Sequence, residues 1–255
     1  MRQGPRFFKA LAAATKAKPV IILKVGTSES GAEAAVSHTT AMAGSDLIWA
    51  GMLQQVGAIR AGSIEEMMDV ALTFQHMPAP EGNRIAIIGV GGGASVILAD
   101  EFSHAGLTLP RLSNDLRQRL IDVFSTEAGR IFKNPIDLNN FESPEKFFKT
   151  MNILDQSEEA DMLIIHVAFD HFGLVSSNEK EFWLSTFIKL IGQVKKDLAK
   201  PLAVILHSYS SAAMNGLAQK AIRELSAAGI AVFPSISRAT QALSKFAGYH
   251  AKRKD

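Results

Sequence analysis

Apolar positions fall into two alternating rhythms along this chain, and each change of rhythm marks an element. Pro5 to Ala17 carries the spacing of a helix, and Val20 to Val25 then reads as a short buried strand. From Gly26 to Gly44 the pattern dissolves into Gly, Ser, Thr and Ala, too broken for regular structure. Ser45 is placed to cap a helix that Gly57 ends, and Ala58-Ile59 is a short strand. Ser63 with Glu66 three residues on makes a capping box for a helix running to about Phe74. Pro78, Pro80 and Gly82 then interrupt the chain, so 78–83 is expected to be a linker between a first segment, 1–77, and a second, 84–255.

The second segment is regular. Strands are predicted at Arg84 to Val90, Leu107 to Leu109, Asp161 to Val167, Leu202 to His207 and Ile230 to Phe233. Helices fill the spaces between them, near residues 94–105, 114–124, 144–154, 179–198, 212–228 and 238–247. Strands alternating with helices of this length imply right-handed crossovers and a parallel sheet. The main strands are almost continuously apolar, as required when helices cover both faces. The expected fold is therefore α/β: a flavodoxin-like, doubly wound parallel sheet, preceded by the C-terminal part of a second α/β domain. With two strands in its first 77 residues, that first segment is expected to expose apolar surface and to invite a partner.

Composition narrows the function classes. Across 255 residues the chain is 47% hydrophobic and 20% charged, with a net charge of +2. So small an excess gives no reason to expect nucleic acid or an anionic membrane as partner. The basic run Lys252-Arg253-Lys254 is read as a solvated end. Cysteine is absent, which removes thiolate nucleophiles, thiolate metal sites and disulfides. With no apolar h-region at the start and no run near the roughly 20 residues that span a bilayer, a cytoplasmic protein is expected.

Two stretches carry candidate chemistry. His38 lies in Ser37-His38-Thr39-Thr40, among small and hydroxylated neighbours. An imidazole is largely neutral at pH 7 and can attack a phosphoryl group. Ser37, Thr39, Thr40 and backbone amides could donate hydrogen bonds to the resulting charge. Taken by itself, a lone histidine in such a stretch is more often an ordinary surface residue. The second stretch is Gly89-Val90-Gly91-Gly92-Gly93-Ala94-Ser95, between a strand and a helix. Glycines let backbone N–H groups approach an anion, and a helix start favours negative charge. A tight turn, a phosphate site (Gly91, Gly92, Gly93, Ala94, Ser95) and a dinucleotide site all remain open from the residues. A dinucleotide fold wants an acidic residue closing its second strand, whereas Leu109 is followed by Pro110 and Arg111, which disfavours NAD more than NADP. Asn134 and Asp137 flank a proline and are read either as turn formers or as supports near a phosphoryl site. His166 and His207 end parallel strands, with Asp170 and His171 close behind, in a spacing that matches no familiar metal site. His76, His104 and His250 are read as surface or helix-end residues, and Met67-Met68 and Phe147-Phe148 as core.

The run Lys18 to Lys24, the turn Gly26 to Gly31 and the segment Ser37-His38-Thr39 through Gly44-Ser45-Asp46 resemble the phosphohistidine segment of ADP-forming acyl-CoA synthetases, in the succinyl-CoA ligase superfamily. Gly82 to Ile88 leading into Gly91-Gly92 resembles the start of that family's following flavodoxin-like domain, and Asn134-Pro135-Ile136-Asp137-Leu138 its Asn-Pro-(Val/Ile)-Asp-Leu element. The resemblance implies an acid–thiol ligase in which His38 passes a phosphoryl group between an acyl site and a nucleotide site. It implies phosphate contacts at Ser37, Thr39 and Gly91–Ser95, supported by Asn134 and Asp137. It also implies CoA, ATP or ADP and Mg2+ in the complete enzyme, a small carboxylic acid as substrate, and partner CoA-binding and ATP-grasp domains or subunits. The family's supporting glutamate would precede Met1. Thr40 stands where the family usually has glycine, and Thr27 and Glu33 where arginine is common. A non-catalytic regulatory or assembly module is the other function class this implies.

Overall fold

The computed structural model describes residues 3–39, 45–89, 91–126, 128–138, 143–168, 177–207 and 212–253. Helix α1 (Gly4–Ala17) leads into β1 (Ile21–Leu23), and α3 (Asp46–Val56) into β2 (Ile59–Ala61). These two strands pair in parallel, Ile21 against Ile59 and Leu23 against Ala61. Gly57 ends α3 in the left-handed region, φ +70°, which its missing Cβ permits. Between β1 and α3 the expectation of irregular chain is corrected: α2 spans Glu29–Thr39. Ser28 makes the start, its Oγ accepting from Gly31 N at 3.1 Å and its carbonyl from Ala32 N at 2.8 Å. Ala32, Ala34 and Ala35 then supply strong helix formers that carry no apolar stripe, so a periodicity reading passes over them.

Helix α4 (Ile64–His76) starts as predicted, with Ser63 Oγ accepting from Glu66 N. The return bond of the box is displaced by one residue, Glu66 Oε2 accepting from Gly62 N at 2.5 Å. Of the paired methionines, Met68 is 60% exposed and outside the core, contrary to expectation.

In the second segment β3 (Ile85–Gly89), β4 (Ile136–Asp137), β5 (Met162–Ala168), β6 (Leu202–His207) and β7 (Ala231–Phe233) form one sheet in the order β4-β3-β5-β6-β7, with parallel pairing throughout. Numbered within the segment this is 2-1-3-4-5, the flavodoxin-like order. The second strand is not the expected one. Leu107 to Leu109 contributes only a single bridge, Thr108 to Arg84, before Pro110 withholds its N–H. The edge beside β3 is taken by Ile136 and Asp137 instead.

Helices cover both faces. On one side α6 (Asn114–Phe124), α7 (Pro144–Gln156), α8 (Ser177–Asp197) and α9 (Ala212–Ala227) bury Leu120, Phe147, Ile191 and Leu225 against Ala86, Ile88, Leu163 and Val204. On the other, α5 (Gly92–His104) and α10 (Ile236–Ala251) bury Leu98, Phe102, Leu243 and Phe246 against Ile85, Ile87, Met162 and Ile205. This second layer continues across residues 78–83, because Ile59, Val70 and Met77 belong to it. Helix α10 binds the first segment with three cations. Arg238 holds buried Asp69 by two bonds of 2.6 and 2.7 Å, Lys245 pairs with Glu66, and Arg253 donates to the carbonyls of Thr15 and Lys16 at 2.7 Å each. Arg253 thus caps α1 while staying exposed, as does Lys252; Lys254 lies outside the described residues. Val25, Leu47 and Ile48 are 67%, 84% and 73% exposed, the apolar surface expected of the first segment. Among the described residues no helix is long and apolar enough to cross a membrane.

Candidate functional site

Strand β3 is buried at every position and delivers the chain to the carboxyl edge of the sheet, where parallel α/β folds place ligands. Gly91 turns there with φ +103°, a conformation open to glycine, and stands as N-cap of α5. The first turn of α5 contains no acidic residue, and no side chain caps its start. Ser95 closes that turn, its N–H and Oγ both directed to Gly91 O at 3.2 and 3.4 Å. Gly92, Gly93 and Ala94 make the first turn, and as the opening residues of a helix their amides have no carbonyl four residues back within it to bond. A first turn with no acidic residue of its own, at a glycine turn, is chemically fit for an anion.

Asp137 and Asn134 stand beside this turn. Asp137 pairs with Gly89, is 8% exposed, and its Oδ2 accepts from Gly91 N at 3.2 Å. It is therefore a strand residue that holds the glycine turn by its first amide. Asn134 precedes a cis peptide to Pro135 and behaves as a strand in miniature. Its Oδ1 accepts from Ile87 N at 3.0 Å, and its Nδ2 donates to Ile85 O at 2.7 Å and Pro110 O at 3.3 Å. The side chain so completes the open edge of β3 below the point where β4 begins.

The relocated second strand corrects one argument. Asp137, an acidic residue, does close that strand, where Pro110 and Arg111 were expected. Its carboxylate is turned back onto Gly91, and the strand order differs from the 3-2-1-4-5-6 of dinucleotide folds.

His38 is the penultimate residue of α2, with Thr39 at its end. Ser37 donates its hydroxyl to Glu33 O at 3.1 Å, one turn back in the same helix. Thr40 lies outside the described residues, as do Asp170 and His171. No residue of α2 whose side chain is described is buried. His166 is wholly buried in β5, and His207 ends β6. His250 packs among Phe74, Phe246 and Tyr249, a more interior place than the sequence implied. Among the described residues no group of three or more His, Asp or Glu stands where it could hold a metal ion, so no step is assigned to Mg2+ here.

A parallel α/β protein with a glycine-led helix start at its carboxyl edge is the class these features define. A family profile described as "Succinyl-CoA ligase like flavodoxin domain" matches residues 1–74. The α subunit of acetate–CoA ligase (ADP-forming) II from Pyrococcus furiosus is 35% identical over 199 residues, covering 78% of this chain and 43% of that one. The α subunit of acetate–CoA ligase (ADP-forming) I from the same organism is 30% identical over the whole of this chain and 52% of its own. The fold matches dinucleotide forming acetyl-coenzyme A synthetase 1 of Ca. Korarchaeum cryptofilum, solved with phosphate and ADP, with a TM-score of 0.77 at 24% identity over 99% of this chain and 51% of that one. Residues 1–74 thus carry a succinyl-CoA-ligase-like flavodoxin domain, and the chain is a homologue of the α subunits of ADP-forming acetate–CoA ligases. It spans about half the length of the relatives it matches.

Proposed function

We propose that this chain is the phosphoryl-carrying part of an NDP-forming acyl-CoA synthetase, which interconverts acid, CoA and ATP with acyl-CoA, ADP and phosphate. Residues 1–77 form the carrier segment, 78–83 the linker and 84–255 the flavodoxin-like ligase unit. In the direction that consumes ATP, a ring nitrogen of His38 takes the γ-phosphoryl group and ADP leaves. The carboxylate of the acid takes that group from nitrogen, and the thiol sulfur of CoA then displaces inorganic phosphate at the acyl carbon. Every step reverses. A phosphorus–nitrogen bond suits this because it gives up its phosphoryl group in either direction, which a serine phosphate does not.

The observation that carries the reading is the start of α5, with positive-φ Gly91 and an uncapped, acid-free first turn at the carboxyl edge. There Gly92, Gly93 and Ala94 steady the phosphoryl oxygens by backbone N–H groups and the helix dipole, Ser95 closes the turn beneath them, and Asp137 and Asn134 hold the turn and strand behind. Ser37 and Thr39 serve the group on His38. CoA-binding and ATP-grasp domains or subunits are the partners, and a small carboxylic acid is the substrate.

The test mixes the chain with a complementary ATP-grasp subunit of the family and ATP labelled in its γ-phosphoryl group. Acid-labile, base-stable label is expected on the wild type and none on His38→Ala. Label that persists in the variant, or an unlabelled wild type, would leave a non-catalytic assembly module as the function.

A further inference from the structure

The last rung of β3 before the ligand-facing edge sets three residues side by side. Gly89 on β3 pairs with Asp137 on β4, and the β3–β5 register, which opposes Ile88 to Ile165, brings His166 to its other flank. Side chains on one strand alternate between faces, so Gly89 continues the row of Ile85 and Ile87, and His166 that of Met162 and Ile164. Those four pack into the layer of α5 and α10. The rung therefore lies in that layer at the height where α5 begins.

His166 is 0% exposed. A Cβ on Gly89 would stand 3.3 Å from His166 Nδ1 and 3.3 Å from its carbonyl oxygen, closer than packing ordinarily allows. The imidazole therefore fills the space that glycine leaves, while on the far side Asp137 takes the Gly91 N–H. The two positions below it in β5 are filled by Met162 and Ile164. The change from apolar to polar comes at the one position of the row that underlies the glycine turn.

We propose that His166 is a positioning residue for the anion-holding turn: lodged over Gly89 and opposite Asp137 in the same rung, it fixes where the Gly91 amide and the start of α5 stand. This rests on reading that helix start as the phosphate site. Gly89, His166 and Asp137 then act as one unit, with glycine required at 89 because its neighbour occupies the space of a side chain.

The test compares His166→Gln, which keeps a side chain of similar reach over Gly89, with His166→Ala, which empties that space. Two readouts are taken on each folded protein: hydrogen exchange of the Gly91 amide by NMR, and the affinity for inorganic phosphate by titration. In His166→Ala the Gly91 amide is expected to exchange at least tenfold faster and phosphate to bind at least tenfold more weakly, with both kept within threefold of wild type in His166→Gln. A His166→Ala protein with wild-type exchange at Gly91 overturns the inference and leaves the ring no part in placing the turn. Absence of phosphate binding by the wild type would instead remove the phosphate reading of the site, and Gly91 exchange alone would then decide whether His166 positions the turn.

Discussion

Arg84 and Asp161 meet just below the large sheet, in a fork of two side-chain bonds of 3.0 and 2.7 Å, and the same carboxylate accepts from Arg84 N at 2.9 Å. The partners are unequally buried: the Asp161 side chain is 3% exposed, that of Arg84 43%. Arg84→Ala therefore leaves a buried carboxylate without its counter-charge and is expected to cost about 3 kcal/mol. Asp161→Ala leaves a guanidinium that can turn to water, with an expected loss of about 1–2 kcal/mol. Urea unfolding of the two variants checks the order, and a larger loss in Asp161→Ala would refute it. The hydrogen bond to Asp161 raises the pKa of Arg84 further above its already high value. A raised folded value means that this stability is present below the ordinary arginine range and lost only above it, so the pair brings no pH dependence near neutrality. From the residues themselves Asn134-Pro135-Ile136-Asp137 read as a turn or as a support near a phosphoryl site. That Asn134 completes a strand edge was not, because its partners Ile85 and Ile87 are nearly fifty positions away in the chain.

Among the elements, those with a strong apolar rhythm were legible. Helix α6 begins and ends where its spacing predicts, and Ser113 caps it, its Oγ accepting from Leu116 N. Elements without such a rhythm were not. Helix α2 rests on alanines and a serine start, and β4 is two residues long beside a proline. Helix α4 gives the pH prediction. Partial burial lowers the pKa of His76 in its last turn, and the charge of Lys195 adds to this. A lowered folded value means that the unfolded chain binds the proton more readily. The stabilisation is therefore complete above the ordinary histidine pKa of about 6.5 and is lost as the pH falls through the folded value. Melting temperatures of wild type and His76→Gln between pH 5 and 8 should diverge on the acid side, the wild type falling more steeply. Parallel curves would show that His76 does not set this dependence.

At the scale of the whole molecule, α10 joins the two segments that Pro78 and Pro80 divide. Arg238 reaches back 169 positions to Asp69, whose side chain is 6% exposed. A double-mutant cycle on Asp69→Ala and Arg238→Ala should return a coupling of about 1–3 kcal/mol; additive losses would mean that this pair has no part in holding the segments together. The sequence by itself determined the order and spacing of the main strands and helices, hence the parallel α/β class, and it determined the residues of the two candidate stretches. Those are local properties, set by the period of apolar positions and by the conformational freedom of glycine and proline. Tertiary structure alone decided which short segment became the second strand, that Asp137 turns onto Gly91, that His166 underlies Gly89, and that α10 clasps the first segment. Each of these joins residues far apart in the chain, and such pairings are fixed only when the sheet register and the buried layers bring them together.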